Sequence, residues 1–514
     1  MGLRSRVAIL VLFAIVLCSC TVAAQQSTAK SSASIDALIS RGDLDGAERA
    51  IWSVLTSNSR DARALTLLGR IRGLQRRLPE AETLFRRASE IDPNSFEAQS
   101  GLARALALQR KSEPAIEAYQ RAQILAPNDL QLKAELAQLY RDSGKPQAAL
   151  SELDAIPPDR VDEHATLIRV ASLIDLRRTD EAIAVARKTS ARSAKLDLEL
   201  ADIFVAAQLP DPALALLTSA ASTGRQLDRV HYLKGKAFLE KSQTTAALAS
   251  FQKSIAINPK AADSMVAIAE IYSLEGNHAR SFELMQRVIK LDPDSIPTLR
   301  HYTEEAMKSG HTSAAVESAS KLITLSSDPE DQYLGAAVLL DANQNENALA
   351  VLRNYVAARS GDAKGWLAFG MANERLDHAD EARKAYDRSL QLNPSLAESE
   401  FRLGLLSKVQ NDTAGATQHF ERALQIDPKK ARAFLEAGKL YLQSGELPHA
   451  LELLQSSESL NPNDSETQYN LGLVLSKLGR VEESKQHMAR YFQLYEGKPP
   501  QAPAAGGNPK NPGV

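Results

Sequence analysis

Nine histidines are the residues of this sequence best suited to metal binding or proton transfer, and they are scattered singly along the chain. No two of them have the HExxH or His-x-His spacing that brings two imidazoles onto one metal ion. The sequence also lacks a GxxxxGK[ST] phosphate loop, a GxGxxG dinucleotide fingerprint and a GxSxG nucleophile turn. We therefore expect no catalytic, metal-binding or cofactor-binding residues, and the protein is predicted not to be an enzyme.

Two cysteines, Cys18 and Cys20, are the only thiols, and both lie at the N-terminus. Arg4 and Arg6 precede them, followed by an apolar run over residues 7–17. This run is too short to span a bilayer but has the length of a signal-peptide core. The four residues LCSC that end at Cys20 resemble a bacterial lipobox, in which the cysteine after the cleavage site carries lipid. Cys20 is therefore the predicted lipidation site and would attach the protein to a membrane.

A second processing signal follows the first. The small residues Val22, Ala23 and Ala24 form a cleavage site before Gln25, which would release a soluble protein. An uncleaved N-terminal anchor is a third alternative. We assign residues 1–24 to a signal peptide that ends at the lipobox or after Ala24. The protein is expected in the periplasm or as an outer-membrane lipoprotein, with a secreted soluble form as the alternative.

The charge of the chain gives little indication of a nucleic-acid partner. The formal net charge is −2, and aromatic residues make up 5% of the sequence. A local basic cluster of eight arginines lies between Arg60 and Arg87. This cluster is either a solvated surface or a site for an anionic partner or lipid headgroup. We expect no nucleic-acid partner in either case.

A period of 34 residues organises the rest of the chain. Pro394, Pro428 and Pro462 show it, and each follows an Asp or Asn. Taking the proline as position 32 of a repeat gives about 14 repeats. Their predicted first residues are 28, 62, 96, 130, 163, 194, 228, 262, 296, 329, 363, 397, 431 and 465.

Each repeat has the apolar pattern of two amphipathic helices of about a dozen residues. Small residues at positions 8 and 20, such as Gly404 and Ala416, would let the two helices approach closely. A bulky residue at position 24, such as Phe420, would fill the seam. Glycines such as Gly445 are predicted to end the first helix, and the Asx-Pro pair ends the second. One repeat cannot bury its apolar face alone, so the repeats must stack into an all-α solenoid.

This pattern resembles the tetratricopeptide repeat (TPR). The repeat that begins at residue 363 has Trp366 at position 4, Gly370 at 8, Ala382 at 20, Tyr386 at 24 and Pro394 at 32. The resemblance extends over about residues 30–495. It implies an α-solenoid of about 14 helix-turn-helix units that coils as a right-handed superhelix.

The repeats and their flanks define the domain organisation. Residues 25–34 are predicted to be a flexible tether, and residues 497–514, rich in Pro and Gly, a disordered tail. Residues 35–227 form the N-terminal, partly degenerate TPR units. Residues 228–496 form the C-terminal TPR units.

The resemblance also implies a concave groove that is lined mainly by the first helices, at positions that include 5 and 9. In the last five repeats these positions are mostly apolar, which predicts a binding strip. The alternative is that these side chains only pack against neighbouring helices. The candidate partner-binding residues are Tyr333, Leu367, Met371, Phe401, Leu405, Leu435 and Tyr469.

The predicted function is that of a non-catalytic protein–protein interaction scaffold of the bacterial cell envelope, which binds protein or peptide segments in its groove. One alternative is a TPR lipoprotein component of a secretion, pilus or exopolysaccharide-export assembly. Another is an accessory subunit that presents substrates to an envelope glycosyltransferase or peptidoglycan enzyme. The sequence does not specify an oligomeric state.

Overall fold

The computed structural model describes residues 35–189 and 193–495. The predicted signal peptide with Cys20, the tether and the tail all lie outside the described residues. Within the described ranges every regular element is a helix, and there is no β-strand. None of these helices is both long enough and apolar enough to cross a membrane.

The chain forms two units, which divide between Ala261 and Ala262. The helices of the first unit are α1 (residues 35–40), α2 (Leu44–Ser57), α3 (Ala62–Leu74), α4 (Leu78–Ile91), α5 (Phe96–Leu108), α6 (Ser112–Leu125), α7 (Leu130–Asp142), α8 (Pro146–Asp154), α9 (Glu163–Asp175), α10 (Thr179–Thr189), α11 (Ala194–Ala206), α12 (Pro210–Ala221), α13 (Leu227–Glu240) and α14 (Thr244–Ile257). A 3₁₀ turn over Pro158–Arg160 follows α8.

The second unit continues the same alternation. Its helices are α15 (Ala262–Leu274), α16 (His278–Ile289), α17 (Ile296–Lys308), α18 (Thr312–Leu325), α19 (Pro329–Asp341), α20 (Asn345–Ala358), α21 (Ala363–Arg375), α22 (Ala379–Leu392), α23 (Ala397–Val409), α24 (Thr413–Ile426), α25 (Ala431–Ser444), α26 (Leu447–Leu460), α27 (Ser465–Lys477) and α28 (Val481–Leu494). Odd-numbered helices are the first helices of the repeats, and even-numbered helices are the second.

The predicted repeat boundaries are confirmed. From α3 to α27, every first helix begins at the predicted first residue, except α13, which begins one residue earlier at Leu227. The repeats predicted to be degenerate are helix pairs as well. The shortest of their helices is α8, with 9 residues. The 34-residue period therefore sets the position of each helix pair.

The turn between the two helices of each repeat has a left-handed residue at position 15. Glycine occupies it in six repeats, for example Gly445 at φ 85°. The other repeats place a residue with a side chain there at nearly the same angle, such as Arg110 at φ 58°. A left-handed residue at this position lets the backbone N–H groups that follow it satisfy the last carbonyls of the first helix.

The seam between the two helices of a repeat is built from small residues against one large residue. Ala416 in α24 is fully buried, as predicted for position 20. Gly404 in α23 lies directly against the ring of Phe420 in α24, which is also fully buried. Complete burial of a phenylalanine side chain contributes roughly 1.5–3 kcal/mol. The same glycine–aromatic contact recurs at Gly370 with Tyr386.

Candidate functional site

The seven predicted groove residues lie on the five successive first helices α19, α21, α23, α25 and α27. Five of them are half-buried and keep part of their side chain accessible to solvent. These five are Tyr333, Leu367, Met371, Leu405 and Tyr469. These five lie on α19, α21, α23 and α27, and the face of the first helices from α19 to α27 on which they lie is called the late groove below.

Phe401 and Leu435 do not belong to this exposed set. Phe401 is 3% exposed and its ring centroid lies 5.7 Å from that of Phe420, while Leu435 is 4% exposed and packs in one core cluster with Leu454 and Leu471. The prediction that these two side chains form part of an exposed strip is wrong. Position 5 is thus buried in some repeats, as at Phe401, Leu435 and Ser100, and half-buried in others, as at Tyr333.

A ladder of ion pairs crosses the late groove from one first helix to the next. Arg402 on α23 lies 3.2 Å from Glu374 on α21, and Lys430, just before α25, lies 2.6 Å from Glu398 on α23. The full set, which we call the ion-pair ladder, comprises Glu374, Glu398, Arg402, Lys408, Lys430, Glu436, Lys439 and Glu466.

Two carboxylates of the ladder, Glu398 and Glu436, are held in their charged form. Burial raises the pKa of Glu398, but hydrogen bonds from Lys430 and Arg402 outweigh it and leave the pKa below its ordinary value. Burial likewise raises the pKa of Glu436, and the charge of Lys439 with the hydrogen bond from Lys408 brings it below the ordinary value. The late groove is therefore charged at neutral pH, with apolar side chains between the charges.

The ladder is joined to the core through Tyr386. This tyrosine is fully buried at position 24 of α22, and its hydroxyl donates a hydrogen bond to Glu374. Burial and the neighbouring charge of Glu374 both raise the pKa of Tyr386. A carboxylate of the groove is thus held by a side chain that also fixes the packing of the repeat.

Three exposed cations of the late groove make no ion pair among the described residues. Lys364 and Arg432 occupy position 2 of α21 and α25, and Lys477 lies at the end of α27. Glu398 on α23 holds position 2 as well, and it is a member of the ladder, so this position faces the groove. One exposed carboxylate, Asp341 on α19, also makes no ion pair among the described residues, so the unpaired charge of the groove is mainly, not entirely, positive.

The arginine cluster in the first unit is largely neutralised within the protein. Arg70 lies 2.7 Å from Asp36, Arg86 lies 2.9 Å from Glu82, and Arg77 lies 2.7 Å from Glu80. Arg72 also pairs with a carboxylate, and Arg87 donates to a backbone carbonyl. These contacts favour the alternative in which the cluster is a solvated surface.

A groove of about 450 Å³ lies beside this cluster in the first unit. It is lined by both signs of charge, including Arg63, Arg70, Asp92 and Glu97. Thr66, which also lines it, is a buried side chain at position 5. The mixed lining gives no preference for one charge class of partner.

Histidines and carboxylates do meet in the second unit, but in pairs. His419 lies 2.6 Å from Glu400, and His278 lies 3.1 Å from Glu305. In the part of the chain that the structure describes, no group of three or more His, Cys, Asp or Glu side chains is arranged to hold a metal ion.

Sequence reasoning missed the ion-pair ladder because it examined positions 5 and 9 only. The ladder uses positions 2, 6 and 12, together with Lys439 at position 9 and Lys430 at position 34. The signal was present in the sequence. Lys408 and Glu436 lie one first helix apart and have opposite charges, as do Lys439 and Glu466.

The stacked helix pairs define an α-solenoid protein whose first helices carry a groove. Models described as tetratricopeptide repeat match residues 33–129, 232–296 and 367–497, which together make up more than half of the chain. The chain belongs to the tetratricopeptide repeat family. Such repeats are generally non-catalytic scaffolds, and the architecture fits a role in binding proteins or peptides.

Curated relatives share only part of their length with this chain. It is similar to cellulose synthase 1 operon protein C from Komagataeibacter xylinus, with 23% identity over 342 residues that cover 57% of this chain and 25% of that protein. It is also similar to the peroxisomal targeting signal receptor of Candida albicans, with 22% identity over 209 residues that cover 39% of this chain and 35% of the receptor. The chain spans between a quarter and about a third of the length of these relatives.

Solved structures with a related fold include the APC/C hetero-tetramer Cut9–Hcn1. That match has 15% identity, covers 86% of this chain and 96% of that chain, and has a TM-score of 0.39. A second match is YrrB, described as a TPR protein with an unusual peptide-binding site, with 19% identity, 35% and 93% coverage and a TM-score of 0.30.

Proposed function

We propose that this protein is a non-catalytic scaffold of the bacterial cell envelope that holds a segment of a partner protein in the late groove. The observation that carries the proposal is the composition of that groove. Half-buried apolar side chains, including Met371 and Leu405, lie on the same successive first helices as the ion pairs of the ladder. A surface of this kind offers apolar burial and charge complementarity to one extended or helical segment.

The charges of the groove define the class of segment that fits. All four carboxylates of the ladder are already bonded to Lys or Arg side chains of this chain. Lys364, Arg432 and Lys477 have no such partner among the described residues. An acidic segment with apolar side chains would compensate these cations and cover the half-buried apolar positions. A basic segment would meet like charge.

The experiment starts with capture of envelope proteins by the purified full chain and continues with direct binding of the identified partner. Met371→Ala with Leu405→Ala should weaken direct binding, because loss of a buried interface anchor typically costs about 2 kcal/mol or more. Lys364→Glu with Arg432→Glu should weaken binding most at low salt, because screening shortens the reach of the charges.

A matched charge control is available on the second helices. Arg388 and Arg422 are exposed on α22 and α24, and Arg388→Glu with Arg422→Glu makes the same change in net charge. This control should bind as the wild type does. Equal binding by the groove variants and the wild type, with unchanged helical content, would remove the late groove as the binding site. Loss of binding in the control would do the same.

A second candidate function follows from the similarity to cellulose synthase 1 operon protein C. We propose as the alternative that the chain serves an exopolysaccharide-export assembly, or assists an envelope glycosyltransferase as an accessory subunit. Co-purification from membranes distinguishes the two functions. A glycosyltransferase or export component that is captured by the wild type and lost with the groove variants favours the assembly role.

We also propose that the chain is exported and attached to a membrane by lipid at Cys20. The basic start at Arg4 and Arg6, the apolar run over residues 7–17 and the lipobox-like LCSC support this proposal. A clickable palmitate analogue should label the wild type and the Cys18→Ala control but not Cys20→Ala. Equal labelling of Cys20→Ala and wild type, or no labelling of either, would overturn the lipidation proposal.

A further inference from the structure

One lysine of the first unit lies at a position that most other repeats fill with a buried apolar side chain. In α13, position 7 is Lys234, and its side chain is half-buried. A cation at such a position is unfavourable unless a negative charge or a hydrogen-bond acceptor compensates it. In six other repeats position 7 is a buried leucine, namely Leu68, Leu102, Leu136, Leu200, Leu403 and Leu471.

A second repeat also has a cation at position 7, and there the cation is paired. Arg169 in α9 lies 2.5 Å from Asp154, which is at position 25 of the preceding second helix, α8. The corresponding residue of α12, the second helix that precedes α13, is Thr218. Lys234 makes no ion pair among the described residues. The carboxylate that compensates Arg169 therefore has no counterpart on α12.

Two more basic side chains lie on the same side of this helix pair. His231 precedes Lys234 by three residues, which is about one turn of α13. Lys253 is at position 26 of α14, about one turn after position 23. In another repeat the side chain at position 23 contacts position 4, since His419 lies 2.6 Å from Glu400. Lys253 is therefore on the face of α14 that is turned toward His231, which is at position 4 of α13.

His231, Lys234 and Lys253 form what we call the α13–α14 cation cluster. Burial lowers the pKa of Lys234, and the positive charge of Lys253 lowers it further. Burial also lowers the pKa of His231, and the charges of Lys234 and Lys253 add to that effect. Both pKa values are thus shifted in the direction that disfavours positive charge, and no carboxylate of the described residues opposes the shift.

The helices around the cluster supply few acids, and most of these acids are occupied. Helix α14 has no Asp or Glu at all. The one acid of α12, Asp211, pairs with a lysine that follows α13, and Asp202 on α11 lies 2.8 Å from Arg229. In α13 itself, Asp228 accepts a hydrogen bond from a side-chain amide at 2.9 Å, and Glu240 is the last residue of the helix. These acids leave the cluster without a carboxylate partner.

We infer that the α13–α14 cation cluster binds a phosphate group, supplied either by a free phosphate compound or by a lipid headgroup. Two lysines in one cluster match the two negative charges of a phosphate dianion, whereas a single carboxylate would balance only one of them. A lysine ammonium group has three N–H donors and binds phosphate oxygens as a point charge. The bound anion would offset the cost of the half-buried charge at Lys234. This inference does not depend on the late groove, whose residues lie in the second unit.

Hydrogen exchange of the full chain tests the site with inorganic phosphate as the probe. Sodium phosphate should slow the exchange of α13 and α14 about two- to fivefold relative to sodium chloride at equal ionic strength and pH, as expected at about one to four times the dissociation constant. The slowing should be saturable, and helices of a distant repeat such as α5 and α6 should not show it. Sodium acetate should have a smaller effect. Equal slowing of all helices, or an equal effect of acetate, would overturn the proposal.

Lys253→Gln and Lys260→Gln form a matched pair, because both remove one exposed lysine from the same repeat. Lys253→Gln should lose most of the slowing by phosphate, and Lys260→Gln should retain it. Lys234→Leu introduces the leucine of the other repeats, so α13 should exchange more slowly than in the wild type in chloride and should not respond further to phosphate. A full phosphate response in Lys234→Leu or Lys253→Gln, or its loss in Lys260→Gln, would refute the site.

Vesicle flotation distinguishes the two sources of phosphate. It is done in a Cys20→Ala background, which lacks the proposed lipid. Flotation with phosphatidylcholine vesicles that contain phosphatidic acid, but not with phosphatidylcholine alone, would assign the anion to a lipid headgroup if Lys234→Leu abolishes it. Slower exchange in inorganic phosphate without such flotation would assign the site to a free phosphate compound. Absence of both responses would remove the phosphate site.

Discussion

A single methyl group added at Gly404 should loosen the repeat formed by α23 and α24. A Cβ atom built there would lie 2.5 Å from Cε1 and 2.7 Å from Cδ1 of Phe420. Carbon atoms in favourable contact are about 3.5–4.0 Å apart, so something must move by about 1 Å. The Phe420 ring is fully buried and already packs against Phe401, which leaves it little room. Overpacking of this kind costs about 1–3 kcal/mol.

An opposing effect reduces that cost. Alanine is favoured over glycine inside a helix by roughly 0.5–1 kcal/mol. Gly404→Ala should therefore destabilise the repeat by about 0.5–2 kcal/mol. Gly73→Ala is the matched control, because Gly73 is also in a first helix but has nothing within 4 Å of the added atom. It should stabilise its repeat by roughly 0.5–1 kcal/mol.

A third glycine should show an intermediate change in stability. At Gly472 the added atom would lie 2.6 Å from Sδ of Met488, which is half-buried and more flexible than a buried ring. Gly472→Ala should therefore fall between the other two variants. Hydrogen exchange by mass spectrometry resolves the three repeats, because damage in a solenoid stays mostly local.

Gly404→Ala should accelerate exchange in α23 and α24 more than in α3 and α4. Combination with Phe420→Leu should reduce the cost of the added methyl, since the smaller side chain leaves more space for it. Unchanged or slower exchange of α23 and α24 in Gly404→Ala would refute the tight glycine–aromatic seam. A cost that is identical in the Phe420→Leu background would show that the ring is not its cause.

Three further predictions concern the turns, the ladder and the seam. Arg110→Gly should raise the melting temperature, because a left-handed residue with a side chain costs roughly 1–2 kcal/mol and the flexibility of glycine in the unfolded chain offsets only part of that. The pKa values of Glu398 and Glu436 lie below the ordinary 4.5. Their contribution to stability is therefore present above about pH 4.5 and is lost as the pH falls through the lowered values. The free energies of unfolding measured in urea at pH 6 and at pH 3.5 should differ less in the variant Glu398→Gln with Glu436→Gln than in the wild type. Ala416→Leu should cost about 1–3 kcal/mol by overpacking, seen as faster exchange of α23 and α24, and a neutral result would contradict the burial of Ala416.

The repeat fold could be predicted from the sequence because its determinants are local. The residue at position 15, the small residue at position 20 and the Asx-Pro pair each act within one helix pair. For example, Asp427 is the C-cap of α24, and Gly445 is the left-handed C-cap of α25. These residues have the same structural effect in every repeat. The predicted helix boundaries are therefore confirmed even in the degenerate repeats.

The groove could be predicted only in part, because it depends on the rotation of each first helix. One residue along an α-helix turns the side chain by about 100°. In α23, Phe401 at position 5 is therefore buried in the seam, while the next residue, Arg402, pairs with Glu374 of the preceding first helix. Contacts such as Lys408 with Glu436 join residues from different repeats, and a search within one repeat does not reveal them.

The ion-pair ladder constrains how a partner can use the groove. Glu398 and Glu436 are partly removed from water, and their lowered pKa values depend on Lys and Arg side chains of the groove. A partner carboxylate that drew Lys430 away from Glu398 would leave that partly buried charge less well compensated, which is unfavourable. The exposed cations Lys364 and Arg432 form no ion pair with another group among the described residues. A partner should therefore bind without breaking the ion pairs of the ladder. The ladder would hold successive first helices in register, and the unpaired cations and half-buried apolar side chains would contact the partner.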